Sequence, residues 1–260
     1  MTRRRSVWLQ QIRRRCAAAL AACGLAGAGL IFTGPAQAIP EDQAIRKLEV
    51  IPVFVLVDER GIPLPIPRDK DLLLPLYLQS SAANQQVSAL KKSNPTLKVS
   101  VAAVPLNVMN AKIAELNKQL KDKTKPFVAP IVGDASDREQ AFKLLKGQGL
   151  TDQQINDGLA VPVFFTKPFL TINTPQGPRG VFYFTYKDME TAIASLPAAD
   201  RGKLKPQVAD ISAVLREIIN VKDDNFVIYP TSEYFRLVQD TQNQAKPTAG
   251  TGAAPAPASR

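Results

Sequence analysis

The 260-residue chain has no histidine, and its only two cysteines are Cys16 and Cys23. Without an imidazole there is no Ser-His-Asp triad and no Cys-His pair. Beyond residue 23 the imidazole and thiolate donors that zinc prefers are also missing. A carboxylate site for calcium or magnesium stays open in principle. The densest acidic run, Val221–Asn225 (VKDDN), lacks the alternating oxygen ligands and closing glutamate of a calcium loop, and reads as a turn. Asp58 and Glu59 are adjacent, so an extended strand sends them to opposite faces. With Gly61 close behind, they read as a solvated hairpin tip and not as a paired-carboxylate site. Gly147 and Gly149 follow a helical pattern without the Gly-Lys-Ser/Thr of a phosphate loop, so they read as helix caps. The sequence therefore predicts no catalytic, cofactor-binding or metal-binding residue.

The first 38 residues contain no acid and hold six arginines, and Cys16–Phe32 carries no charge. A basic head, an apolar middle and the exit Ala36-Gln37-Ala38 form a secretory signal, with removal expected after Ala38. A retained membrane anchor is the alternative, although seventeen apolar residues are slightly short for a span. Leu20–Cys23 (LAAC) also resembles a lipoprotein box that would place a lipid on Cys23, and Arg4-Arg5 leaves twin-arginine export open. Loss of the segment removes both cysteines, and with them any disulfide, and lowers the net charge from +10 to +4. So small a scattered excess argues against nucleic acid as a partner. The local patches KKSNPTLK and KQLKDKTK read as solvated helix ends, with peripheral membrane contact at most.

What the remainder does contain is a pattern written twice. IPVFVL at Ile51–Leu56 is matched by VPVFFT at Val161–Thr166. Both read as strands, and both hold too few polar residues for a solvated face. Pro52 removes a backbone donor, which places its strand at an edge or gives it an irregular start. Around each strand the same order of elements follows, alternating short helices and strands. Tyr77 aligns with Tyr183, Val101–Val104 with Val208–Ile211, and Phe142–Leu144 with Phe235–Leu237. Thr151 with Gln154 forms a capping box, and Thr185 with Asp188 a cap pair. The expected fold class is α/β (mixed α+β), with two similar lobes from an internal duplication related by a pseudo-twofold axis. The expected boundaries are 1–38 for the signal peptide, 39–125 for the core of the first lobe and 126–150 for its last strand and helix. Residues 151–239 form the second lobe, and 240–260 an Ala/Pro-rich tail expected to be disordered.

The repeated PVF strand, VFYFTYKDMETAIASL and ADISAVLREI together resemble the Tic22-like family over about Glu41–Gln239. The export signal points to its cyanobacterial, exported type. The resemblance implies a two-lobed α/β fold, grooves for unfolded or extended polypeptide, and no catalytic residue. It also implies periplasm or thylakoid lumen as the compartment, and work in protein transport and outer-membrane biogenesis beside an Omp85-type barrel. The function it suggests is a non-enzymatic chaperone or assembly factor. Two lobes with a cleft leave open a second class, a periplasmic solute-binding or scaffold protein.

Aromatic asymmetry nominates the groove. Phe164, Phe165, Phe169, Tyr183 and Tyr186 crowd the second half, where the first offers Phe54 and Tyr77. Met109 and Met189 would suit an adaptable apolar site. Period two in VFYFTY sends Phe182 and Phe184 to one face and Tyr183 to the other. Either both faces are buried beneath helices, or one lines a groove. An added strand at the edge near Pro52 or Pro162 is a further binding mode.

Overall fold

The computed structural model describes residues 39–68, 71–120, 124–221 and 223–245. The expected signal peptide and most of the expected tail lie outside these residues.

The chain begins with α1 (Glu41–Arg46), where Glu41 and Asp42 sit at the positive end of the helix and Arg46 pairs with Asp42 at 3.2 Å. A 3-10 turn (Lys47–Val50) leads into β1 (Pro52–Val57), every residue of which is buried. Then come β2 (Ile66–Arg68), β3 (Asp71–Leu73), β4 (Leu76–Tyr77), α2 (Ser80–Ser93), β5 (Ser100–Pro105) and α3 (Leu106–Gln119). Two short strands, β6 (Phe127–Val128) and β7 (Ile131–Val132), precede α4 (Ala135–Gly147). The second half runs α5 (Asp152–Gly158), β8 (Pro162–Lys167), β9 (Thr171–Thr174), β10 (Gly177–Phe182), α6 (Tyr186–Ala194) and α7 (Ala198–Arg201). It ends with β11 (Lys205–Asp210), α8 (Ile211–Asn220), β12 (Phe226–Ile228) and α9 (Ser232–Ala245). The fold is mixed α+β with several sheets. The capping box at Thr151 and Gln154 is formed in full, and Thr185 accepts the Asp188 N–H at 3.0 Å.

One sheet has the order β5-β1-β4-β7. β1 runs antiparallel to β5 and β4, and β4 parallel to β7. In the second half β8 runs antiparallel to β11, joins Tyr183 through a bridge at Phe164, and β10 lies parallel to β12. Phe54 stands opposite Tyr77 as Phe164 stands opposite Tyr183. Leu106 donates to Ile51 as Ile211 donates to Val161. Matched by register, Ala103 takes the place of Val208, since these are the partners of Phe54 and Phe164. The alignment of Val101–Val104 with Val208–Ile211 is therefore displaced by two residues.

Pro52 is not on an edge strand, because β1 has neighbours on both sides. The reason lies in register. Leu106 bonds Ile51, so the next pair, Pro52 opposite Pro105, is a position that exchanges no hydrogen bonds across that ladder. Pro52 also opens the strand, where a missing donor is tolerated.

Both faces of the strands are covered. Val53, Val55, Leu76 and Met109 meet Val163, Phe182, Phe184 and Ile218 in one core shared by the two halves. The alternate residues face outward under helices. Phe54, Leu56 and Tyr77 pack with Ala83 and Val87 of α2, and Phe164, Val181 and Tyr183 with Met189 of α6. At the seam, Asp224 accepts from Lys47 at 2.6 Å and from Arg179 at 2.8 Å, and Lys47 also donates to the Phe226 carbonyl.

The last helix of each half lies on the other half. The strands of 126–150 complete the first half's sheets, while Ala141 and Leu145 of α4 pack with Phe164 and Val208. Leu237 of α9 packs in the Phe54 cluster. Each crossing helix also brings a carboxylate to a helix start. Asp137 accepts the Tyr186 N–H at 2.8 Å, and Glu233 accepts the Ser80 N–H at 3.2 Å.

Burial pushes the Asp137 carboxyl up to about 6, against the Tyr186 hydrogen bond and with help from Asp134 and Asp188. The folded chain therefore holds a proton that the unfolded chain has already released between about pH 6 and the ordinary aspartate range. This group's contribution to stability rises as pH falls from 7 to 5, by about 1 kcal/mol. Urea midpoints at pH 7 and pH 5 should show the Asp137→Asn variant lacking that increment, with the rest of the profile unchanged.

Candidate protein-binding groove

The nine candidate groove residues are divided among three apolar clusters. Phe54, Tyr77, Met109, Phe164, Tyr183 and Met189 are buried core, Phe164 and Met189 at 0% exposure. They are inaccessible because helices cover the outer face of each sheet and the opposite half covers the inner face. Phe165, Phe169 and Tyr186 are half-buried. Phe165 and Phe169 stack at 5.2 Å, and with Phe182 and Phe226 they make a four-ring cluster flanking the shared core. Their rings come so close to Gly180 that an added Cβ would meet Phe169 and Phe226 at 3.1 Å. Tyr186 meets Phe164 edge-on at 5.4 Å. Burial pushes the Tyr183 hydroxyl up to about 12, with Tyr229 and Asp188 adding to the shift, so it stays protonated at neutral pH.

Among the described residues, an open apolar groove lies elsewhere, between β5 and α9. It is a groove of about 300 Å³. One wall is Pro52 with Ala103, Val104 and Pro105. The other is Tyr234, Leu237 and Val238 of α9, with Thr241 and Gln242 beyond. Glu49 is the one carboxylate side chain in the lining. On α9, Val238 is 37% exposed and Phe235, a neighbour of the Tyr229 and Tyr234 rings, is 44% exposed.

β5 is the end strand of its sheet. Because Val53–Val104 and Val55–Ala102 are the pairs that exchange hydrogen bonds with β1, the N–H and C=O of Val101 and Ala103 point away from β1. The groove thus offers strand-type backbone groups beside an apolar wall. That pairing suits an extended polypeptide, whose main chain adds to the edge while side chains enter the groove.

No family model and no curated protein matches this chain. Among solved structures, Anabaena Tic22, described as a protein of protein transport, superposes with a TM-score of 0.62 at 20% identity, over 78% of this chain and 97% of that one. The chain has the fold of the Tic22 structures. Tic22 from Plasmodium falciparum likewise gives a TM-score of 0.62, at 16% identity, over 78% of this chain and 98% of its own. Identity at this level speaks for the Tic22 fold and not for a shared activity.

Sequence reasoning missed the groove. The available signal was on α9, where Tyr234, Leu237 and Thr241 share a face at helical spacing and Phe235 and Val238 add apolar surface beyond it. An apolar arc wider than one contact face marks a helix with more than one surface to cover. Among the described residues, no group of three or more Cys, Asp or Glu is placed to share a metal ion, and no helix is long and apolar enough to cross a membrane.

Proposed function

We propose that the chain is an exported, non-enzymatic chaperone or assembly factor of the Tic22-like family. It acts in the periplasm or thylakoid lumen, in protein transport and outer-membrane biogenesis. It receives unfolded or extended polypeptide, and the soluble domains of an Omp85-type barrel are a second partner. The observation that carries this reading is the free edge of β5 beside the apolar wall of α9. The Tic22 fold supports it. The matching registers at Phe54–Tyr77 and Phe164–Tyr183, with the exchanged last helices, further support two copies of one unit about a pseudo-twofold axis.

A solute-binding reading needs a polar cleft between the halves. The surface they share here is packed with Val53, Met109, Phe182 and Ile218, which favours the edge groove. The test is suppression of aggregation of an unfolded outer-membrane protein. A molar excess of the chain from Ile39 should suppress it, and no suppression would count against the proposal. Val238→Asp should weaken suppression several-fold while leaving stability within about 0.5 kcal/mol, because the side chain is exposed. Ala103→Pro removes only an outward N–H and should cost about fivefold in client affinity, the equivalent of one hydrogen bond.

A further inference from the structure

Resting on the reading of the groove as a polypeptide site, we propose that the protein takes one extended segment at a time, as a fifth strand on β5. The segment it selects carries an apolar residue at every second position and a cation at the end that lies beside Pro105. Two other end strands show how this chain guards an edge. In β11 the pairs that exchange hydrogen bonds with β8 are Ala209–Val163 and Gln207–Phe165, so Val208 and Pro206 turn their backbone groups outward. Pro206 has no N–H, and its carbonyl already accepts from the Gln207 side chain at 2.7 Å. Helix α4 closes the same edge, with Leu145 buried in the cluster of Val208 and Gln148 donating to Gln207. In β3, Leu72 donates to the Pro126 carbonyl on the β6 side, so its partner Pro67 in β2 faces outward. The outward donor of β2 is thus the one that proline lacks.

β5 has neither guard. By register Val101 stands where Pro206 does, because they face Leu56 and Thr166, and Ala102 stands where Gln207 does. Val101 therefore keeps its outward N–H, and the methyl group of Ala102 cannot reach an edge carbonyl. The helix is also drawn back. Phe142 matches Phe235, so Leu145 of α4 and Val238 of α9 hold the same place. Leu145 is 8% exposed and Val238 is 37% exposed. One edge is closed and the other open, which leaves one site for two helices that cross alike. The groove also sets the pattern of its occupant. On a strand added to β5, alternate side chains fall on the face of Ala103 and Phe54. There the small Ala103 and the wall of Leu237 and Val238 leave room for large apolar groups. The residues between them fall on the other face and need no apolar partner. Strands of transmembrane β-barrels have this period of two. Glu49 is exposed and shares the lining with Pro105, so it favours a lysine or arginine at that end.

The probe is a synthetic peptide of about ten residues, with valine or leucine at alternate positions, threonine between them and one terminal lysine. Calorimetry on the chain from Ile39 should give one peptide per chain, and two per chain overturns the proposal. N-methylation of the peptide tests strand addition without altering the protein. Methyl groups on alternate amides block the edge that meets β5 or, shifted by one residue, the edge that faces away. One set should lose affinity about tenfold and the other should keep it. Equal loss, or none, overturns the proposal. Val101→Pro should weaken binding about fivefold, and Pro206→Ala should leave it unchanged. The reverse result would move the site to β11 and overturn the proposal. Glu49→Gln should lower affinity about threefold for the lysine peptide and not for its norleucine counterpart. An equal effect on both overturns the selection of a cation. A dimer paired through β5 that the peptide does not dissociate would assign the edge to a second copy and overturn the proposal. Aggregation suppression alongside any of these overturning results leaves the chaperone reading standing. Peptide binding as described, without suppression, keeps the strand site and removes that reading.

Discussion

Phe164→Ala will cost about 3–5 kcal/mol in unfolding free energy and leave aggregation suppression by the folded fraction intact. The side chain is fully buried at the centre of the second outer core, against Tyr186, Val208 and the crossing helix α4. Removing it leaves a cavity that a sheet clamped between α4 and the first half cannot close, which is why the upper part of the large-to-small range applies. Equilibrium urea unfolding gives the first quantity and light scattering of an unfolded client the second. The opposite outcome, stability within about 0.5 kcal/mol and suppression lost, would return Phe164 to a binding surface and undo the assignment of the groove to β5 and α9.

The second large effect is expected at Asp210. Its buried carboxylate accepts from Ala160 at 2.8 Å, Val161 at 2.9 Å and Ser212 at 2.9 Å. One side chain thus caps α8 and holds the entry to β8. Asp210→Ala leaves three backbone donors without their partner, and the loss should reach about 3–5 kcal/mol. Asp210→Asn keeps an acceptor and should lose about half as much. The first half provides an internal contrast, because the matching position is Pro105 and α3 has no side-chain cap bond. Pro105→Ala should accordingly shift the midpoint little. A loss at Asp210 no larger than that at Pro105 would show that the cap is not what secures the seam at β8.

Much of the architecture was readable before any coordinates. IPVFVL and VPVFFT are strands, Thr151 and Gln154 close a capping box, and VFYFTY alternates its faces as period two requires. These features depend on residues two to four positions apart, so local geometry is enough to express them. The candidate site was not readable in the same way. Aromatic density selected Phe164 and Tyr183, but large apolar side chains fill cores as well as grooves, and only the covering elements distinguish the two. One acid of VKDDN, the run that read as a turn, is Asp224, and it joins Lys47 to Arg179 across the seam, a role set by residues 177 and 45 positions away.

By itself, then, the sequence determined which segments become strands and helices, which faces of them are apolar, and that no imidazole or thiol chemistry operates beyond residue 23. Tertiary structure alone decided that Pro52 sits inside a sheet, that α4 and α9 each lie on the opposite half, and that an apolar groove opens beside Ala103 and Val238. The physical reason is range. Periodicity is a property of neighbours along the chain, whereas an edge, a cover or an opening exists only once strands such as β1 and β5, nearly fifty residues apart, have found their register.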